Sequence, residues 1–270
     1  MSRGVIYAVT SGKGGVGKTT TSANLGLGLA LEGKRVALVD GDIGLRNLDV
    51  VMGLENRIVY DIVDVVEKRA KLSHALIKDR RLKENLVLLP AAQTRDKESV
   101  SPDQMREVVR ELSKTYDYVI VDAPAGIEQG FKNAIAGADE IIVVTNPEVS
   151  AVRDADRIIG LVDAAGKKSP KLVITRIRMD MVKRGDMLSV EDVLSLLEVE
   201  LIGIVPEDNN VVVSSNRGEP VILSKKTIAS QAYSNIVKRI MGEDAPLSPL
   251  TQSKGIKAFV NNLFAKIKGE

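Results

Sequence analysis

The sequence contains no cysteine and a single histidine, His74. Without cysteine, disulfides, thiolate nucleophiles, zinc–thiolate centres and iron–sulfur ligation are excluded. Without companions, His74 has no metal to hold, and it reads as a surface or half-buried residue on a helical stretch at 71–77. The net charge is only +2, so no global basic field points to nucleic acid, and a charge-driven partner must be met by a local patch. No apolar run approaches the ~18 residues that cross a bilayer. No basic–apolar leader opens the chain, because a strand pattern starts at Gly4. Phenylalanine is scarce, and two of the three fall near the end, Phe259 and Phe264. The basic runs Lys78-Asp79-Arg80-Arg81 and Lys167-Lys168 read as solvated loops.

What is present is a long series of short apolar runs. They lie at 5–9, 36–39, 86–90, 118–121, 140–144 and 171–174, with a weaker one at 201–205. They are β-branched and do not alternate with polar residues, which marks strands buried on both faces. Between them lie helical patterns at 19–32, 101–114, 151–165, 189–197 and 227–241, and Ser101 before Pro102 is a helix start signal. The alternation predicts one α/β domain over 1–241, a doubly wound, mostly parallel sheet with helices on both faces.

The first strand pattern runs into Gly12-Lys13-Gly14-Gly15-Val16-Gly17-Lys18-Thr19 and then into a helix. Strand, glycine loop and helix in that order predict a phosphate cradle, in which backbone N–H groups and the helix N-terminus face phosphate oxygens. Lys18 is expected at the β- and γ-phosphates of a nucleotide, and the Thr19 hydroxyl on Mg²⁺. The strand at 118–121 ends in Asp122, a second carboxylate for the Mg²⁺ shell, followed by Pro124-Ala125-Gly126 as a candidate γ-phosphate sensor. The strand at 36–39 ends Asp40-Gly41-Asp42. Asp42, in the loop, is expected to place the attacking water, and Asp40 to be structural or outer-shell.

The residues after 241 change character. The stretch 242–253 carries two prolines and many small polar residues and reads as a flexible linker. Over 254–270, Ile256, Phe259, Val260, Leu263, Phe264 and Ile267 fall on one helical stripe, with lysines and asparagines elsewhere. A tethered apolar stripe flanked by lysines predicts a peripheral helix for an anionic lipid surface. A helix docked on the core or on a partner is the other reading. One short helix binds lipid weakly, so two copies held together gain by effective concentration.

The loop with its extra Lys13 resembles the deviant phosphate loop of the MinD/ParA class of ATPases. Within that class the chain is similar to the septum-site MinD family over essentially its whole length. The similarity rests on residues 42–49, 121–128, 145–150, 184–189, Pro206-Glu207-Asp208 and 218–221, and on the amphipathic tail. The resemblance implies that Lys13 acts across an ATP-bound homodimer on the partner's phosphates. It implies that Lys18, Thr19 and Thr20 hold phosphates and Mg²⁺, and that Asp42 is the catalytic aspartate. Gly12, Gly14, Gly15, Val16 and Gly17 would line the loop, and Glu148 would lie at the dimer interface. Arg176, Pro206 and Asp208 would flank the adenine. Arg46, Leu48, Arg153, Asp154 and Asp156 would form the partner surface, for a MinC-like inhibitor and a MinE-like activator. It further implies slow intrinsic hydrolysis and a place on the inner face of the cell membrane, with no specific nucleic acid as partner. A ParA-like cargo-positioning ATPase and a flagellar-number regulator of the same class remain the competing readings.

Overall fold

A computed structural model of the protein describes residues 3–82, 85–224 and 226–247. In chain order the first half comprises β1 (Val5–Thr10), α1 (Lys18–Leu31), β2 (Val36–Asp40), α2 (Leu48–Met52), α3 (Ile62–Val66), α4 (Leu72–Ala75), β3 (Ile77–Lys78), β4 (Leu86–Leu89), α5 (Pro102–Ser113) and β5 (Tyr118–Asp122). The second half comprises α6 (Gln129–Ala136), β6 (Glu140–Thr145), α7 (Val149–Ala164), β7 (Lys171–Ile177), α8 (Met179–Arg184), α9 (Val190–Leu197), β8 (Glu200–Pro206), α10 (Asn209–Asn216) and α11 (Ile228–Ile240).

The apolar runs do become strands buried on both faces. They pair in the order β3-β4-β2-β5-β1-β6-β7-β8, all parallel except β3 against β4. Successive side chains of β1 divide between two cores: Ile6 and Ala8 join one, Tyr7 and Val9 the other. The first core lies under α5, α6, α7 and α9, the second under α1, α2 and α11. The helices begin where their caps predict. Ser101 accepts from the Gln104 N–H with Pro102 in the first turn, Ser189 does the same with Asp192, and Thr227 accepts from Ser230 N–H.

β1 stands between β5 and β6, where the winding direction reverses. The carboxyl ends of strands at such a point leave a crevice, and the glycine loop leaves β1 directly into it.

Two expectations are corrected, and the strand β3 and the helices α2, α3, α6, α8 and α10 form where no periodic run was read. The run 78–81 is not a solvated loop: Asp79 is 1% exposed and pairs with Arg81 at 2.6 Å. Arg81 also donates to the carbonyls of Met52 at 2.7 Å and Gly218 at 3.1 Å, so it ties the sheet edge to the loops beside the crevice. The segment read as a linker starts packed, because Ala245 and Leu247 are buried and the Ile204 N–H donates to the Leu247 carbonyl at 2.9 Å. His74 lies on α4 and is exposed. The rest of the linker and the amphipathic stripe lie outside the described residues. Among the described residues no helix is long and apolar enough to cross a membrane.

Candidate functional site: a phosphate cradle and its rim

The crevice floor is built by the loop from Ser11 to Gly17. Gly17 adopts φ 91°, a left-handed conformation that suits glycine, and this turns the chain into α1. A Cβ at Gly14, Gly15 or Gly126 would meet nothing within 4 Å, so open space lies over the loop. Gly12 is needed for a different reason: a side chain there would meet the Asp154 carbonyl oxygen on α7 at 2.5 Å. The loop is fixed from below by Thr175, whose hydroxyl is 2.6 Å from the Val16 carbonyl, and from the side by the Gly126 N–H donating to Ser11 at 3.1 Å. Thr175 is a support that sequence reasoning missed; its only signal was a threonine closing an apolar strand.

Lys18 begins α1 and is 8% exposed. Its Nζ lies 3.6 Å from Asp122 Oδ1, and the same oxygen accepts from the Ser22 hydroxyl at 2.7 Å. Ser22, one helical turn after Lys18, was not foreseen, although its position on the same face of α1 was legible. Thr19 and Thr20 are half-buried on the first turn of α1.

Asp40 and Asp122 are register partners across β2 and β5. Asp40 accepts from three backbone N–H groups, those of Asp42 at 2.9 Å, Asn47 at 3.2 Å and Leu48 at 3.1 Å. Those bonds hold the Asp42 loop in shape. Burial first, and the neighbouring Asp122 second, push Asp40 up to about 7. Asp42 is half-buried at the crevice, and its Oδ1 is buried without a hydrogen-bond partner. Burial raises its pKa, while Lys18 pulls it down. Lys18, Asp42 and Asp122 are therefore brought together in one electrostatic unit.

The rim is made differently. Lys13 Nζ reaches the chain's own Glu148 Oε2 at 3.1 Å and Ser150 Oγ at 3.1 Å. Asn146 donates to Glu148 Oε1 at 2.6 Å, yet its own Oδ1 is buried and unpartnered. Arg176, at φ 57°, reaches the Gly15 carbonyl at 3.3 Å and pairs with Glu207 at 2.9 Å. Pro206 is buried at the end of β8. Asp208 supports local structure: one oxygen accepts from the Asn210 N–H at 2.9 Å, the other from the Ala229 N–H at 3.2 Å. Arg176, the backbone of 206–208 and the half-buried Asp208 carboxylate thus stand together at this part of the rim. Asn146, Glu148, Arg176 and Glu207 line a cavity of about 660 Å³ with residues of α8 and α9.

The expected partner surface is only partly exposed. Leu48 is fully buried, since α2 packs that side inward. Arg46 turns back to Asp49 at 2.9 Å. Asp154 packs beneath Gly12. Arg153 and Asp156 are exposed. The apolar Leu45, next to Arg46, and Val149, on the same helix as Arg153, which the sequence did not single out, are also open to solvent.

Residues 4–174 match the family model described as an AAA domain. A septum site-determining protein MinD from Bacillus subtilis is 57% identical over 97% of this chain and 98% of its own. The MinD subunit solved as a MinC:MinD cell division complex from Aquifex aeolicus is 50% identical, with TM-score 0.84 over 90% of this chain and 98% of that one. A septum site-determining MinD solved with Mg-ADP from Pyrococcus horikoshii is 28% identical, with TM-score 0.79 over 94% of this chain and 98% of that one.

Proposed function

The chain belongs to the MinD family of septum site-determining P-loop ATPases, and from that membership we propose that ATP binding joins two copies into a dimer that resides on the inner face of the cell membrane. In this reading the cradle of residues 12–20 holds the phosphates, Lys18 neutralises them, and Lys13 leaves its own rim for the phosphates of the second copy. Asp42 orients the attacking water and takes up its proton. Arg176 and the 206–208 backbone face the base.

Mg²⁺ fits the residues present. The Thr19 hydroxyl and the carboxylates of Asp42 and Asp122 are hard oxygen donors, and the orphaned Asp42 Oδ1 asks for a cation or a donor. Among the described residues no three acidic or histidine side chains converge to hold a metal alone. That agrees with an ion bound by one or two carboxylates together with phosphate oxygens. When bound, it supplies neutralisation of phosphate charge.

Membrane residence is assigned to Ile256, Phe259, Val260, Leu263, Phe264 and Ile267. Two such helices on one dimer bind where one does not. A MinC-like inhibitor, as in the Aquifex aeolicus complex, and a MinE-like activator are the proposed partners, with slow turnover until the activator binds. The observation that carries this reading is the contrast between two lysines of one loop. Lys18 is buried toward Asp122, whereas Lys13 is 42% exposed on the rim, held by a surface pair with Glu148 and a hydrogen bond to Ser150.

The test is sedimentation with anionic liposomes, with ATP and with ADP. Pelleting with ATP alone is the expected result. Pelleting with both nucleotides makes the tail a constitutive anchor and sinks the switch. A Phe259→Glu/Phe264→Glu variant that still pellets with ATP removes the tail from the account.

A further inference from the structure

The segment after α11 does not hang from the helix end. Gly242 and Glu243 line a small cavity together with Lys171 and Glu200, at the amino ends of β7 and β8. Five residues after Gly242, the Leu247 carbonyl accepts from Ile204 N–H at 2.9 Å, near the carboxyl end of β8. The segment therefore climbs the outer edge of the sheet. It also changes face. The buried residues of α11 belong to the core shared with α1, whereas Leu247, 4% exposed, belongs to the opposite core under α7 and α9. A main-chain hydrogen bond and a buried leucine hold this crossing in place, and Ala245 is buried along it.

We propose that residues 242–247 are a strap that fixes where the membrane-binding tail leaves the body, and that Leu247 is its anchoring residue. The proposal rests on the membrane reading of the tail. It has two physical consequences. The expected tether shrinks from the twelve residues of 242–253 to the six of 248–253. Effective concentration falls roughly as the −3/2 power of tether length, so halving the tether is worth about threefold for the second foot. The strap also carries the tail's origin about four strand residues, ~13 Å, toward the nucleotide end of the sheet. Six residues behaving as the coil that their sequence suggests would have an r.m.s. reach of the same size, ~13 Å. In a dimer joined across its nucleotides, each tail then starts nearer its partner, and two feet reach one patch of lipid together. Strap and cradle thus belong to one device, although no residue of the strap touches the nucleotide crevice.

The experiment uses the full chain with ATP and vesicles rich in phosphatidylglycerol. Leu247→Asp should release the strap and lower the apparent vesicle affinity of the ATP form at least threefold. ATP hydrolysis without lipid, and the absence of pelleting with ADP, should not change. Six Gly/Ser residues inserted after Leu247 leave the anchor seated and should cost about threefold by tether length alone. This second variant guards against misfolding of the first. Because the chain has no cysteine, Leu247→Cys gives a direct reading. Its thiol should resist labelling in solution and on vesicles alike. Rapid labelling on vesicles, or pelleting unchanged in both tether variants, overturns the strap while leaving the tail as a foot. Failure of the unaltered chain to pellet with ATP removes the membrane reading and the strap's role with it.

Discussion

The inner half of the crevice and its rim use the same residue types in opposite ways. Inside, Lys18, Asp122, Ser22, Asp40 and Asp42 are joined in the sheet's centre, and Lys18, Asp40 and Asp122 are at most 8% exposed. On the rim, Lys13–Glu148 and Arg176–Glu207 are partly solvated pairs. A buried charge stripped of its partner costs ~3–5 kcal/mol, whereas a surface pair is worth ~0–1 kcal/mol. The inner network is consequently fixed in one arrangement by the fold. The rim can exchange its partners at little cost, which suits side chains meant to meet a second copy.

Four measurements would break or sharpen that contrast. The largest effect is expected for Lys18→Ala. Removal of the cation should lower ATP affinity by at least ~100-fold, comparable to losing a buried ion pair; isothermal titration showing near-normal affinity would dissolve the inner network as the phosphate holder. Asp42→Ala comes next. ATP binding should survive within a few-fold while hydrolysis falls ~100-fold or more, as expected for loss of a general base. Unchanged turnover in a phosphate-release assay would move that role elsewhere.

The third concerns pH. Asp40 is raised to about 7 in the folded chain, so it carries extra protons relative to the unfolded chain between its unfolded and folded pKa values. Its contribution favours folding at low pH and is lost as pH rises through about 7. The nucleotide-free melting temperature should therefore climb as pH falls from 8 toward 5, before the salt-bridged Asp117 and Asp139, whose pKa values are lowered, begin to cost stability near acid pH. A melting curve flat across that range would show Asp40 ionised without penalty. The smallest effect is predicted for Glu148→Gln. Chemical denaturation should change by no more than ~1 kcal/mol, because the pair it breaks is exposed. A loss of several kcal/mol would make the rim as rigid as the interior.

How far the sequence showed all this depends on the kind of contact. The glycine loop and Lys18 were legible because a phosphate cradle is local: strand, loop and helix are contiguous in the chain. Asp122 was legible only as an acid closing its own apolar strand. Ser22 and Thr175 were not, since each acts through a bond to a residue far away in sequence, at separations of 100 and 159. Asp208 shows a second role that its motif did not reveal: it caps α10 through the Asn210 N–H and holds the start of α11 through the Ala229 N–H. Leu48 was misread, because a five-residue helix gives no period by which to tell its buried face.

By itself the sequence determined the layered fold, the loop, and the amphipathic stripe after residue 253. Each is written in neighbouring residues, as strand runs buried on both faces, as backbone freedom at glycine, and as helical spacing. Only the tertiary structure decided that Arg81 clamps the sheet edge, that Lys13 rests on Glu148, and that the segment after α11 crosses to the other core at Leu247. These are contacts between elements, and their partners are chosen by how strands order in the sheet, which no local pattern encodes.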